Sequence, residues 1–318
     1  MAKSTVADNS RFKSKTWYQL LVVIWLVDLF LRVRAPIDRA NLDHYGISVP
    51  WFYLIQLSFA LSILLIWALA MYGAVSFKGY AHNIRNSEDG SALNTAANGL
   101  LVLVVGIMAS GVLNQSRNYF ADPEMSPWLT IAMNQVQVLG YLGGFYLLWR
   151  GSSRLVGQIK ASSQAQKWQG WLLVPFTIVA GAYAFLSSVD PDRLVATTPH
   201  VKFATYYLPD ILLMGLVILP YVLSWLLAIY AAINLSLYRQ NVKGTFYRQA
   251  LKGLVQGIIA VTAFSIGMQF LRVLSSSLVE LNTAGILILV YLILLAYTGS
   301  YLLIARGARK LHAIEEAV

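Results

Sequence analysis

The chain contains no cysteine in 318 residues. Disulfides, thiolate metal sites, CxxC redox chemistry and cysteine nucleophiles are therefore excluded by inventory. Charge is also scarce, since only 12% of residues are Asp, Glu, Lys or Arg, while 58% are hydrophobic and mean hydropathy is +0.60. Such a composition lies outside the range of soluble domains and points to a chain dissolved in lipid. The four histidines, His44, His82, His200 and His312, all fall outside the long apolar runs, which leaves no pair to ligate a haem within the bilayer. Those runs also hold no lysine for a retinal Schiff base, and no HExxH, GxSxG, P-loop or paired-carboxylate pattern appears. The sequence thus points to no cofactor and gives an enzyme no residues to stand on.

What the chain has in abundance is long apolar runs. About 20 apolar residues cross a bilayer as a helix. Eight segments qualify, at about 17–33, 50–77, 94–115, 128–149, 169–188, 208–235, 253–274 and 283–305. Irregular lipid-facing backbone does not survive in hydrocarbon, so the expected fold is all-α, a polytopic transmembrane helical bundle. The first run follows a basic, polar N-terminus and imitates a signal peptide with a cleavage site near Ala35. Its flanking Arg32 and Arg34, and its partner later in the chain, favour a retained helix.

The net charge of +10 does not indicate nucleic acid, because the basic residues are spread among short segments between apolar runs. With the N-terminus inside, the inner segments 1–16, 78–93, 150–168, 236–252 and 306–318 hold 17 of the 24 Lys and Arg. The outer side holds the other seven, Arg32, Arg34, Arg39, Arg117, Arg193, Lys202 and Arg272. Retention of Lys and Arg in cytoplasmic loops selects this orientation, with both termini cytoplasmic in a multi-pass protein of a cell membrane. No loop exceeds about 20 residues, too short for an independent core.

The sequence also matches itself. At an offset of 158, Trp67, Tyr72, Tyr80, Asn83 and Gly99 fall on Trp225, Tyr230, Tyr238, Asn241 and Gly257, with 11 identities over the 47 positions from 67 to 113. At 154, Trp17, Asp38 and Arg39 meet Trp171, Asp192 and Arg193; at 156, Tyr141, Gly143, Arg150 and Gly151 meet Tyr297, Gly299, Arg306 and Gly307. Residues 1–160 and 161–318 read as two copies of one four-helix unit. An even number of spans per copy gives both the same orientation, related by an axis along the membrane normal. Gly140 and Gly144, and Gly253 and Gly257, form GxxxG pairs suited to close helix contacts inside the bundle.

Polar residues within the runs are the candidate site. Asp28 is the one carboxylate clearly inside a run, and an ionisable group at membrane depth is costly enough to be a functional hypothesis by default. Arg32 lies four residues later on the same helical face, an expected partner that would draw the pair outward; Arg272, near the outer end of the seventh run, is the alternative. Asn98, Asn134, Gln137 and Gln256, with Gln56, Asn234 and Gln269, are amides expected to be buried. They suit either interhelical hydrogen bonds or a polar path between the halves. Pro175 and Pro220 are expected to kink their helices.

Two functions fit these features: a small transporter or channel with its path between the four-helix copies, or a non-catalytic structural or assembly subunit of a larger membrane complex. The partners expected are the bilayer, anionic lipids at the basic inner loops 78–93 and 236–252, and other membrane proteins. The cysteine-free background allows a direct test of topology. Single cysteines at 43, 122, 192 and 278 should react with an impermeant thiol reagent added outside, and those at 10, 86, 160 and 245 should not. One reversed hairpin would discard the eight-span reading.

Overall fold

The computed structural model describes residues 14–34, 48–84, 88–116, 125–188, 219–242, 245–278 and 283–316, apart from some side chains near helix ends. They form eight helices: α1 (Ser14–Arg34), α2 (Val49–Asn83), α3 (Glu88–Ser116), α4 (Met125–Gln158), α5 (Ser162–Ser188), α6 (Leu219–Asn241), α7 (Thr245–Leu278) and α8 (Thr283–Glu316). Five stretches are long and apolar enough to cross a membrane: Val49–Asn83, Asp89–Leu113, Leu219–Asn241, Tyr247–Phe270 and Leu287–Leu311. The remaining expected spans, 17–33, 128–149 and 169–188, are helical throughout on α1, α4 and α5.

The helices run further than hydropathy alone suggests. The 35 residues of α2 rise roughly 50 Å, well beyond a hydrocarbon core of about 30 Å. Pro50 starts that helix, where its missing N–H costs nothing, after an extended Ser48. At the other end α2 continues to Asn83, and α3 begins at Glu88. Where described, the segments 78–93, 150–168 and 236–252, expected as loops, are thus mostly helix. Between α4 and α5 the turn is made by Lys160 in the left-handed region (φ 53°), with Ala161 N–H donating to the Val156 carbonyl at 3.2 Å. Polar and basic side chains do not by themselves end a helix, so charge patterning alone does not mark the helix boundary.

The bundle is organised by paired contacts. Helix α3 packs along α4, and α7 along α8; α2 meets α3, as α6 meets α7; α4 crosses to α6, as α8 crosses to α2; α1 lies on α2 and α3, and α5 lies on α6 and, more loosely, on α7. The two tightest crossings repeat atom for atom. A methyl group placed on Gly99 would sit 2.5 Å from the Gly144 carbonyl oxygen and 2.7 Å from the Leu148 nitrogen. One on Gly257 would sit 3.0 Å from the Ser300 oxygen and the Ile304 nitrogen, the positions paired with Gly144 and Leu148 in the sequence. Likewise Gly151 faces the Ala92 oxygen and Ala96 nitrogen, and Gly307 faces those of Ala250 and Leu254. Both GxxxG pairs therefore serve contacts within the chain, with Gly140 against Gly106 and Gly253 against Gly307.

The first and fifth helices differ. Trp25 Nε1 donates to the Ala60 carbonyl at 3.2 Å and ties α1 to α2. Helix α5 holds Pro175 and leaves Trp171, Val174 and Ile178 largely exposed. A cavity of about 470 Å³ opens between α5, α6 and α7, walled by Trp168, Leu172, Ile233 and Ile259 among others.

The glycine contacts predict a matched pair of defects. Gly99→Ala and Gly257→Ala should each destabilise the protein by about 1–3 kcal/mol through overpacking. Gly181→Ala and Gly267→Ala, which meet nothing within 4 Å, should be neutral or stabilising because alanine favours helix. Unfolding in detergent by denaturant titration measures all four, and equal effects at contact and open positions would refute the packing described.

Candidate functional site

On α1 the expected ion pair forms. Arg32 Nε donates to Asp28 Oδ2 at 2.7 Å. The pair does not reach outward as expected, because Asp28 is 0% and Arg32 8% exposed, covered by protein. Asp28 Oδ1 is buried with no hydrogen-bond partner. A carboxylate with one oxygen committed and one unused keeps acceptor capacity at an enclosed point of the bundle. Arg272, the alternative partner, and Asn134 are on α7 and α4, but their side chains lie outside the described residues.

The amides separate into different places. Lys78 Nζ donates to Asn94 Oδ1 at 2.5 Å and to Asn98 Oδ1 at 2.6 Å, joining α2 to α3. Lys78, expected in a loop, therefore belongs to a membrane-length helix, where two amide dipoles of α3 hold its ammonium. Gln256, at the position equivalent to Asn98, is exposed instead of buried, because it faces a groove between α7 and α8. Gln137 is half-buried on α4. Among the described side chains, the residues singled out in the sequence are thus not gathered into one site.

Two further polar features lie elsewhere, one around Asn234, an amide expected to be buried, and one around tyrosines that the sequence did not single out. Asn234, on α6 and 1% exposed, donates to Ser153 Oγ at 2.9 Å and more weakly to Ser152 Oγ at 3.4 Å on α4. Its Oδ1 accepts from Gln169 Nε2 of α5 at 3.0 Å, so one amide ties three helices. The second feature is a seam of tyrosines. Tyr141 of α4 lies within hydrogen-bond reach of Tyr297 of α8, and its ring lies 6.3 Å from that of Tyr221 on α6. Further along, Tyr247 lies within hydrogen-bond reach of Tyr80 and Tyr238, and Tyr238 donates to Asp89. The ring centroids of Tyr80 and Tyr238 are 6.3 and 6.5 Å from that of Tyr247. These four residues, with Asn83, Ile84 and Val242, line an open cavity of about 390 Å³. One signal for the seam was in the sequence: Tyr141 matches Tyr297 at an offset of 156 and Tyr80 matches Tyr238 at 158.

The Asp28–Arg32 geometry predicts a coupled loss. Asp28→Asn or Arg32→Gln alone should cost about 3–5 kcal/mol, because each leaves the other partner buried and unpaired. The double variant should cost less than the sum of the two. Additive losses in a double-mutant cycle would mean that the pair contributes nothing as a pair. Comparison of this chain with protein-family models, with curated proteins and with solved structures gives no match.

Proposed function

We propose that the protein is an eight-span membrane protein made of two parallel copies of a four-helix unit, 1–160 and 161–318, with both termini cytoplasmic. In this reading it is a non-catalytic structural or assembly subunit of a larger membrane complex. The matched helix pairings and the repeated glycine contacts support the duplication. The observation that carries the functional reading is the filled seam: where the copies meet at mid-depth, Tyr141, Phe145, Leu148, Tyr221 and Tyr301 are buried together between α4, α6 and α8. A transporter needs a polar opening at that depth. A subunit needs a firm interior and apolar outer faces, and α1 and α5 present such faces with Val22, Val23, Phe30, Trp171 and Val174 exposed.

One observation favours the transport reading as a second choice. The cavity beside Tyr80, Tyr238, Tyr247 and Asp89 lies at the meeting of the two copies and opens at the end taken as cytoplasmic. It would serve as a vestibule below the tyrosine seam. Purification from native membranes in mild detergent separates the two. The subunit reading expects the 35.3 kDa chain to travel with a stoichiometric protein companion identified by mass spectrometry. A chain that travels alone and raises solute flux across proteoliposomes, with Tyr141→Ala raising it further, would replace that reading with transport.

A further inference from the structure

The two copies treat one equivalent groove differently. Between α7 and α8, at the end where α7 begins and α8 finishes, an open cavity of about 610 Å³ is lined by Lys252, Arg306, Arg309 and Lys310, with Gln249 and Gln256 beside them. Neither Asp28 nor Asp89, the acids whose side chains are described, lines it. Lys252 comes from α7, and Arg306, Arg309 and Lys310 come from successive turns of α8 at i, i+3 and i+4, so one cation on α7 faces three on α8. The floor is the Gly253–Gly307 contact, where a methyl on Gly253 would lie 3.0 Å from the Gly307 Cα. That contact brings Lys252 close to the three cations of α8. Lys310 reaches the Gln249 oxygen at 3.5 Å.

In the first copy the matching positions are Asn94, Arg150, Ser153 and Arg154. Two cations have become neutral residues, and these are engaged internally: Asn94, with Asn98, accepts from Lys78, and Ser153 accepts from Asn234. The shared fold therefore does not require four cations in this groove. Holding four like charges together around an open space costs free energy unless an anion is present.

We infer that the α7–α8 groove is a binding site for a phosphate-bearing anion, and specifically for the headgroup of an anionic phospholipid. Arginine forks match phosphate oxygens in bidentate fashion, and basic pockets between membrane helices are suited to such headgroups. The groove lies on a membrane-length helix, Tyr247–Phe270, near its polar end, where a lipid can place its phosphate among the cations and its acyl chains along the apolar helix faces. The site requires only that the chain sit in a bilayer, and holds whether the protein is a subunit or a transporter.

The test uses the full chain in nanodiscs of phosphatidylcholine containing 20 mol% phosphatidylglycerol, with retained lipid counted by native mass spectrometry and the site mapped by photoactivatable phosphatidylglycerol. Crosslinks should fall within residues 247–256 and 303–311. The combined Lys252→Gln, Arg306→Gln, Arg309→Gln and Lys310→Gln variant should lose retention at least about tenfold, whereas Arg150→Gln with Arg154→Gln in the first copy should leave it unchanged. If the four-site variant does not fold, Arg309→Glu alone, with the crosslink map of the unaltered chain, decides the matter. Crosslinks spread evenly around the bundle, or equal loss from the first-copy variant, would overturn the site. Displacement of the lipid by millimolar inorganic phosphate would assign the groove to a soluble anion and overturn the lipid.

Discussion

The architecture depends on how closely two helix backbones can approach at the α3–α4 and α7–α8 crossings. Lipid tails are as apolar as the side chains they surround, so burying apolar surface does not drive helices together within a bilayer. Close packing and interhelical hydrogen bonds must do so. At Gly99, Gly106, Gly140 and Gly144 the first pair of helices touch backbone to backbone, and Gly253, Gly257 and Gly307 do the same for the second. Once each pair is joined, α4 and α8 present their other faces to α6 and α2. The order of the bundle follows from that exchange.

Polar groups within the bundle are paired economically. Trp25 fastens α1 to α2, a lysine and two asparagines fasten α2 to α3, and Asn234 fastens α4, α5 and α6. Such bonds contribute modestly in a membrane, about 0.6 kcal/mol on average, so they fix register and orientation more than they hold the bundle together. Asp28 differs, because a carboxylate buried with one oxygen unused is costly. It is retained together with its arginine one turn away.

The proposed copies have diverged most where their chemistry is exposed. The first docks its leading helix through Trp25, buries the Asp28–Arg32 pair and consumes its polar groups internally. The second lacks these fastenings: Ala182 stands at the position of Asp28, α5 runs continuously through Pro175, and an apolar cavity and a basic groove remain open.

The sequence by itself determined the all-helical class, the membrane-length segments now described on five helices and the Asp28–Arg32 partnership. Each follows from local physics: backbone groups in hydrocarbon must bond within their own helix, and residues four apart share a face. It also showed Tyr80 matched to Tyr238 and Tyr141 to Tyr297, without saying that they meet. Only the tertiary structure decided that Lys78 turns inward to Asn94 and Asn98, that Gln256 faces outward while Asn98 does not, and that the tyrosines line one seam. Those outcomes depend on the rotation of each helix about its axis and on which helix lies beside it. In a bundle where nearly every face is apolar, hydropathy carries little record of rotation. The groove of four cations was invisible for the same reason, since Lys252 and Arg306 are 54 residues apart and are brought together only by two glycines that allow α7 and α8 to touch.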